Sequence, residues 1–551
     1  NSNFSTSSAG VATVDLRNLG SDRTLVLVNG RRFVAGIPGS STVDLNTIPT
    51  QFIDRIDVQT GGSSAVYGSD AVAGVVNIVT KKNYQGVELS GKIGISERGD
   101  NLEQELGMLV GGNFDDNKGN ILVYAGYTKQ GAVFSRNRSN LGADIDQISC
   151  IYTTCDVDQI FEATRPFYSG FAPQGSFTAG QRFDGDGRPI GSRYTFTYSP
   201  SGQLQPCFSS NGAGCVSARP AIPDDPDTPN VNEASPAVPD IGTGVGPNGF
   251  NRSAYRTIAV PTERYLLALS ANYEVSDSIN LFVEGNYAST KVRTELEPFP
   301  MDSAGPNGIF PASGGLFAIE GYAIDPVTGA RTLTRNPLVP LAIYNAAIDT
   351  PVYDTNGDDI PDTGDGFRDI GFTKRLSEFG NRGSSVDRDT FRIVAGLNGN
   401  LSDRWSYEAY YNYGQTRESQ QSGGKVNVLN FANALNVVQD VYDVNGNGDT
   451  TDAVCADATA RAQGCAPANI FGFNALSQDA INYIIAPSSL TSLTSQNVAG
   501  AGLVGSLPGL AAGDIGLAFG VEYRKEKSEQ VFDALTNAGL NGGNKLANTC
   551  R

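Results

Sequence analysis

The sequence predicts a mainly β protein. A small α+β domain occupies residues 1–82, and residues 83–551 supply antiparallel strands of a large, incomplete transmembrane β-barrel with long extracellular loops. Three observations predict this. Beyond residue 82, apolar residues recur with period two in segment after segment, the spacing that places them on one face of a strand. Short connections alternate with very long ones, as in barrels with tight periplasmic turns and extended outer loops. The first eighty-odd residues have a different rhythm, passing from strand to paired glycines, a short helix and a second strand.

In the N-terminal domain, Thr24-Leu-Val-Leu-Val28 is a strand closed by the turn Asn29-Gly30. Positions 53–81 read IDRIDVQTGGSSAVYGSDAVAGVVNIVTK. They divide into a strand from Ile53 to Val58, a Ser-capped turn of helix and an apolar strand from Val72 to Thr80. Gly61, Gly62 and Gly68 serve backbone geometry. No G-x-x-x-x-G-K-[ST] pattern is present, which argues against a phosphate cradle.

Composition narrows the function classes. The 551 residues carry 40 Lys and Arg against 58 Asp and Glu, a net charge of −18. That surface repels nucleic acid. No run approaches the ~18 apolar residues of a membrane helix, a test that strands do not have to pass. Gly 65, Tyr 22 and Phe 26 against Met 2 and Trp 1 suit strands, turns and aromatic girdles. With His 0, neither a Ser-His-Asp triad nor a His-ligated zinc exists within these residues. No enzyme is expected. The chain opens on Asn1-Ser-Asn-Phe-Ser5 without a signal-peptide pattern, so a processed chain or a fragment is expected.

About nine barrel strands follow, near 86–96, 103–114, 119–130, 263–275, 279–292, 389–401, 405–418, 493–507 and 514–527. In the first, Val87, Leu89, Ile93 and Ile95 alternate with Glu88, Ser90 and Lys92. Tyr265, Leu267, Leu269, Ala271 and Tyr273 repeat the pattern, as do Phe391, Ile393, Ala395 and Leu397. Aromatics sit near several strand ends, where an interfacial girdle belongs. An odd count does not close a bacterial barrel, so further strands are expected. A secreted β-sandwich also alternates, but seldom carries three loops this long on one side.

Those loops run over about 131–262, 293–388 and 418–492. Cys150 and Cys155, Cys207 and Cys215, and Cys455 and Cys465 form close pairs on the loop side, and read as local disulfides of an oxidising compartment. Cys550 is left over. Two segments read as candidate structural calcium sites, Asp354, Asn356, Asp358 and Asp362 in one and Asp443, Asn445, Asn447 and Asp449 in the other. Oxygen-bearing side chains at alternate positions around a glycine wrap hard cations, as in an EF-hand loop, although solvated turns share this composition. No other cofactor is required.

The succession at 24–30 and 53–81 resembles the plug domain of TonB-dependent outer-membrane receptors. The run Gly516-Leu-Ala-Phe-Gly-Val-Glu-Tyr-Arg524 looks like one of their mid-barrel strands. The resemblance implies a plug inside a 22-stranded barrel, of which this chain supplies part. It implies energised uptake of a scarce, large solute across a Gram-negative outer membrane. A ferric siderophore comes first, with SusC-like uptake of oligosaccharide, or cobalamin or peptide, as alternatives. The partners implied are outer-membrane lipid, the solute, and a TonB–ExbB–ExbD complex acting through an N-terminal box that lies outside this sequence. An adhesin or structural barrel is the alternative from another class, and it has no need of a plug. The resemblance places Arg31, Arg32, Phe33, Ile37 and Ser40 at a plug apex facing the ligand. It makes Arg55 and Asp57, with Glu522 on the wall, a plug–barrel lock.

Overall fold

The computed structural model describes residues 9–61, 63–138, 149–150, 160–161, 171–179, 182–183, 189–190, 194–199, 201–207, 250–276, 278–304, 309–310, 315–349, 366–510 and 513–540. The N-terminal domain is a four-stranded sheet of β1 (Thr24–Val28), β2 (Arg31–Arg32), β3 (Ile53–Thr60) and β4 (Gly74–Thr80), in the order β2-β1-β4-β3. Strand β1 runs parallel to β4, while β2 and β3 pair antiparallel to their neighbours. Both faces of β1 are buried. Val26 and Val28 join Phe33, Val34, Val43, Ile48 and Ile78, while Leu25 and Leu27 meet Ala71 and Val75. Asn29 and Gly30 hold φ of 54° and 79°, the left-handed pair that a two-residue hairpin demands. That turn projects Arg31 and Arg32 from the end of the domain.

The large sheet is a nine-stranded antiparallel meander. Its strands are β5 (Gly86–Gly94), β6 (Glu103–Phe114), β7 (Gly119–Gln130), β8 (Thr262–Ser276), β9 (Ile279–Leu296), β10 (Arg382–Ser402), β11 (Trp405–Ser422), β12 (Ser488–Leu510) and β13 (Gly513–Phe532). All nine expected strands are present, and the later ones run several residues further into the loop side than the alternation shows. Leu89, Leu106, Ile121, Leu267, Ile393, Phe519 and Val521 lie exposed on the outer face. Aromatics bracket this apolar surface. Tyr127 packs on Tyr265 at one end, and Phe114 on Tyr273 at the other. The eight steps from Tyr265 to Tyr273 span about 27 Å along the strand, roughly 20 Å of height at a tilt of ~40°, close to the ~25 Å of a lipid-facing band. The inner face is buried and polar, with Arg388, Arg392, Asn412, Glu418 and Gln496 all under cover. A sheet apolar outside and polar inside is the inverse of a dry sandwich.

The long connections hold the largest departure from expectation. They are not simply polar loops. Strand Asp369–Leu376 is buried along nearly its whole length, between Ser176–Ala179 and Phe299–Asp302. Helices Leu341–Ala346, Val428–Leu435 and Gln478–Ile484 lend Ile343, Phe431 and Ile484 to one shared apolar core with Phe177, Met301 and Ile370. Two buried cations stitch the loops together. Lys374 donates to the carbonyls of Pro173 and Gly472 and pairs with buried Glu378 at 3.3 Å. Arg375 donates to the carbonyls of Phe171 and Pro298. Burial pushes Lys374 down from its usual pKa, while Glu378 pulls it back. The same balance, with Glu297 opposing, leaves Arg375 at about 10.

Candidate functional site

The site is the contact between the N-terminal domain and the inner wall. Arg31 is its centre. Its Nη1 donates to Glu284 Oε1 on β9 at 2.9 Å, and its Nη2 to Glu408 Oε2 on β11 at 2.8 Å. Its guanidinium lies 4.3 Å from the Phe282 ring centre and 5.2 Å from that of Tyr410. The same Glu284 receives Asn29 Nδ2 at 2.8 Å and Arg392 Nη1 at 3.3 Å. One wall carboxylate therefore gathers two plug-side donors and one wall cation. The side chains of Arg31 and Glu284 are 6% and 10% exposed, so their attraction is weakly screened.

Neighbouring contacts extend this seam. Arg32 Nη1 donates to Asp70 at 2.7 Å and its Nη2 to the Tyr67 carbonyl, so it braces the N-terminal domain internally. Arg524 on β13 reaches the same Asp70 at 3.4 Å. Asn412 Nδ2 donates to the Arg32 carbonyl at 2.9 Å, and Gln496 Nε2 to that of Phe33 at 3.4 Å. Higher on the wall, Arg388 forms a buried pair with Glu418 at 2.5 Å and donates to the Ala9 carbonyl. Phe52 inserts among Leu109, Leu122, Leu266 and Ala268, a small apolar contact on an otherwise polar inner face.

These positions correct two sets of expectations. Arg31 and Phe33, expected at a ligand-facing apex, are both buried. The hairpin turns Arg31 toward wall carboxylates, and Phe33 belongs to the domain core, with Arg392 over its ring. Arg32 is largely covered by Asp70. Ile37 and Ser40 sit half-buried on the loop after β2, and the Ser40 hydroxyl is engaged by Asp22. The lock expected of Arg55, Asp57 and Glu522 does not assemble among the described residues. Strand β3 is the edge of its sheet and is exposed from Asp54 to Thr60. Arg55, 60% exposed, pairs with Asp54 and Asp57, both at 3.3 Å, and with no other carboxylate among the described residues. Glu522 faces Arg32 at 3.9 Å and accepts from Tyr410 at 3.4 Å. Locking thus passes from β3 to the β1–β2 hairpin.

Glu284, Glu408 and Arg392 escaped the sequence reading. Their signal was a charge at a mid-strand, inward position; their partners required the register.

The loop expectations divide. Cys455 and Cys465 are disulfide-bonded. For the pairs of Cys150 with Cys155 and Cys207 with Cys215, Cys155 and Cys215 lie outside the described residues, as do Cys550 and the segment holding Asp354, Asn356, Asp358 and Asp362. The second acidic turn closes on its own hydrogen bonds. Asp443 accepts from Gly448 N and Asp449 from Thr451 N, while the amides of Asn445 and Asn447 both donate to Asp452. Among the described residues, no group of three or more His, Cys, Asp or Glu side chains converges as a metal site. Nearby in space to the strand ends, Asp100 holds Arg138 through both nitrogens at 2.8 and 2.9 Å. That pairing and the Ser96 hydroxyl keep the Asp100 carboxyl well below the usual range.

Comparison with known proteins adds the following. Residues 2–75 match the family model described as TonB-dependent Receptor Plug Domain. Vitamin B12 transporters BtuB of Vibrio cholerae are 41% identical over 86 residues, which is 15% of this chain and 14% of theirs. Among solved structures, a ferric enterobactin receptor from Pseudomonas aeruginosa is 13% identical with a TM-score of 0.33, covering 94% of this chain and 49% of that one. The siderophore receptor PiuA from Acinetobacter baumannii is 9% identical with a TM-score of 0.25, covering 93% and 54%. The chain thus spans about half the length of these solved receptors. Likenesses this loose carry no argument about function.

Proposed function

We propose, from the match of residues 2–75 to the plug-domain model, that the whole protein is an outer-membrane receptor and transporter that takes up a scarce, large solute at the expense of TonB-transmitted energy. The observation that carries the reading is the seam formed by the buried pair Arg31–Glu284 and the half-exposed Glu408. A wide barrel has a water-filled lumen that something must obstruct. Here a folded domain packs on the inner face of the nine-stranded sheet and is fastened by ion pairs and side-chain bonds, which are reversible, and not by a continuous apolar core. A structural barrel or adhesin has no use for such a removable obstruction.

The partners proposed are the lipid of a Gram-negative outer membrane and an inner-membrane TonB–ExbB–ExbD complex. A ferric siderophore is the first cargo to test, on the family resemblance alone. Cobalamin, the cargo named for the 41%-identical relatives, is second, and oligosaccharide or peptide follow. Growth of a deletion strain on panels of iron chelates and on limiting cobalamin tests this. Loss of growth on one chelate identifies the cargo, and unchanged uptake of every chelate removes the siderophore reading. Structural calcium at the acidic loops belongs to the same proposal; a thermal midpoint unmoved by calcium removes it.

A further inference from the structure

We propose that the loop-side ends of β9–β13 form a binding site for a solute that carries a carboxylate beside hydroxyl groups. The inference rests on the receptor reading above and narrows the class of cargo. A recess of about 250 Å³ lies there, lined by Arg382, Ser384, Gln420, Lys425, Ser488 and Phe532 among others. Neighbouring strand ends, the residues just after β11 and the short helix Ala534–Asn537 build it. It therefore needs no wall beyond the described sheet.

Register sets the floor of the recess. Thr294 lies opposite Ser384, Ser384 opposite Ser422, and Ser422 opposite Ser488. Four hydroxyl residues thus form one rung across β9, β10, β11 and β12, about 14 Å from end to end, and all four line the recess. A hydroxyl both donates and accepts, so the rung matches a solute with hydroxyls of its own. The adjoining rung on the same face, two residues along each strand, includes Gln420, Leu490 and Phe532. Gln420 Nε2 donates to Ser384 Oγ at 3.0 Å, while Leu490 and Phe532 offer apolar surface to the C–H face of a ring.

Two cations complete the lining. Arg382 stands two residues beyond Ser384 on β10, and Lys425 donates to Ser488 Oγ at 3.0 Å. Arg382 uses Nε on the Glu297 carbonyl and Nη2 on its carboxylate, at 2.9 and 3.1 Å. That carboxylate also faces Arg375 at 4.0 Å and Arg256 at 3.8 Å, so Arg382 receives only a share of its charge. Burial pushes Lys425 below its usual pKa, Asp533 pulls it back, and Arg382 lowers it further. Like charges in one recess disfavour each other, and a carboxylate between them relieves both through charge-assisted hydrogen bonds. Hydroxyls alone would suit a neutral sugar, and cations alone a bare anion. Their combination selects a hydroxylated acid, from either an acidic saccharide or a hydroxycarboxylate chelator.

The test is isothermal titration of the intact, purified receptor with glucuronate, glucose and citrate. Glucuronate differs from glucose only in its carboxylate. At least one of the two acids is expected to bind about tenfold or more tighter than glucose. Tighter glucuronate assigns the site to an acidic saccharide, and tighter citrate to a hydroxycarboxylate chelator. Lys425→Gln is expected to weaken the preferred acid by about tenfold, and Lys425→Arg to retain most of the affinity. Ser384→Ala with Ser422→Ala, which leaves both cations in place, is expected to weaken it by about threefold or more. Arg55→Gln, on the exposed edge of the N-terminal domain, is expected to change nothing. Neither acid binding tighter than glucose overturns the proposal, and so does an affinity unmoved by Lys425→Gln or by the serine pair. The titration needs neither TonB nor transport, and growth on chelate panels needs no particular site, so failure here is distinguishable from failure of the uptake reading.

Discussion

Replacing Arg31 by alanine provides the sharpest test of where the plug is fastened. Arg31 and Glu284 are almost fully covered and 2.9 Å apart. Removing one partner of such a pair leaves the other charge buried, at a cost of about 3–5 kcal/mol. Arg392 and Asn29 stay beside Glu284, which favours the lower end. The second pair adds little, because Glu408 is 39% exposed and exposed pairs contribute roughly 0–1 kcal/mol. A loss of about 3 kcal/mol corresponds to roughly a hundredfold in the equilibrium for local opening. Hydrogen exchange reads that opening directly. Amides of β1, paired to β4, are expected to exchange about a hundredfold faster in Arg31→Ala. Arg55→Ala is the control, since its partners are neighbours on an exposed edge, and it is expected to change exchange by less than about fivefold. Equal effects of the two substitutions, or none from Arg31→Ala, would refute the assignment of the latch to the β1–β2 hairpin.

Three further outcomes are expected. Lys374→Met strands Glu378 inside the loop core and destabilises that unit by about 3 kcal/mol, whereas Lys374→Met with Glu378→Leu recovers much of the loss; proteolytic nicking of the loops in folded receptor measures both. Replacing Cys455 and Cys465 by serine releases a closure ten residues apart, worth about 3 kcal/mol, and should raise cleavage near 440–470 while leaving β1 exchange unchanged. The depressed Asp100 carboxyl stabilises its link to Arg138 fully above the ordinary carboxylate pKa of about 4. That stabilisation is lost as pH falls through the lower folded value. Protection of the 96–100 turn against exchange should therefore decline only in strong acid, and Asp100→Asn should abolish the pH dependence.

Much of the architecture is written locally. Alternation of Val87, Leu89, Ile93 and Ile95 is enough to mark a strand with one lipid face, because pleating sends neighbours to opposite sides. Nine such segments, separated by turns such as 115–118 and 403–404, are enough to order a meander. Asn29-Gly30 marks a hairpin because few other residues tolerate its dihedrals. The loop core was not legible, since Phe177, Met301, Ile370, Phe431 and Ile484 show no common period and come from distant segments.

The site belongs to the same second class. Arg31, Arg32 and Arg55 are comparable in sequence as basic residues beside strands, and nothing local distinguishes a buried latch from a solvated edge pair. What the amino-acid order determined was the kind of surface each strand offers, through interactions a few residues apart. What only the tertiary structure decided was which charges meet. Glu284 lies 253 residues from Arg31, and Coulomb attraction at 3 Å depends on register and burial that no short window contains.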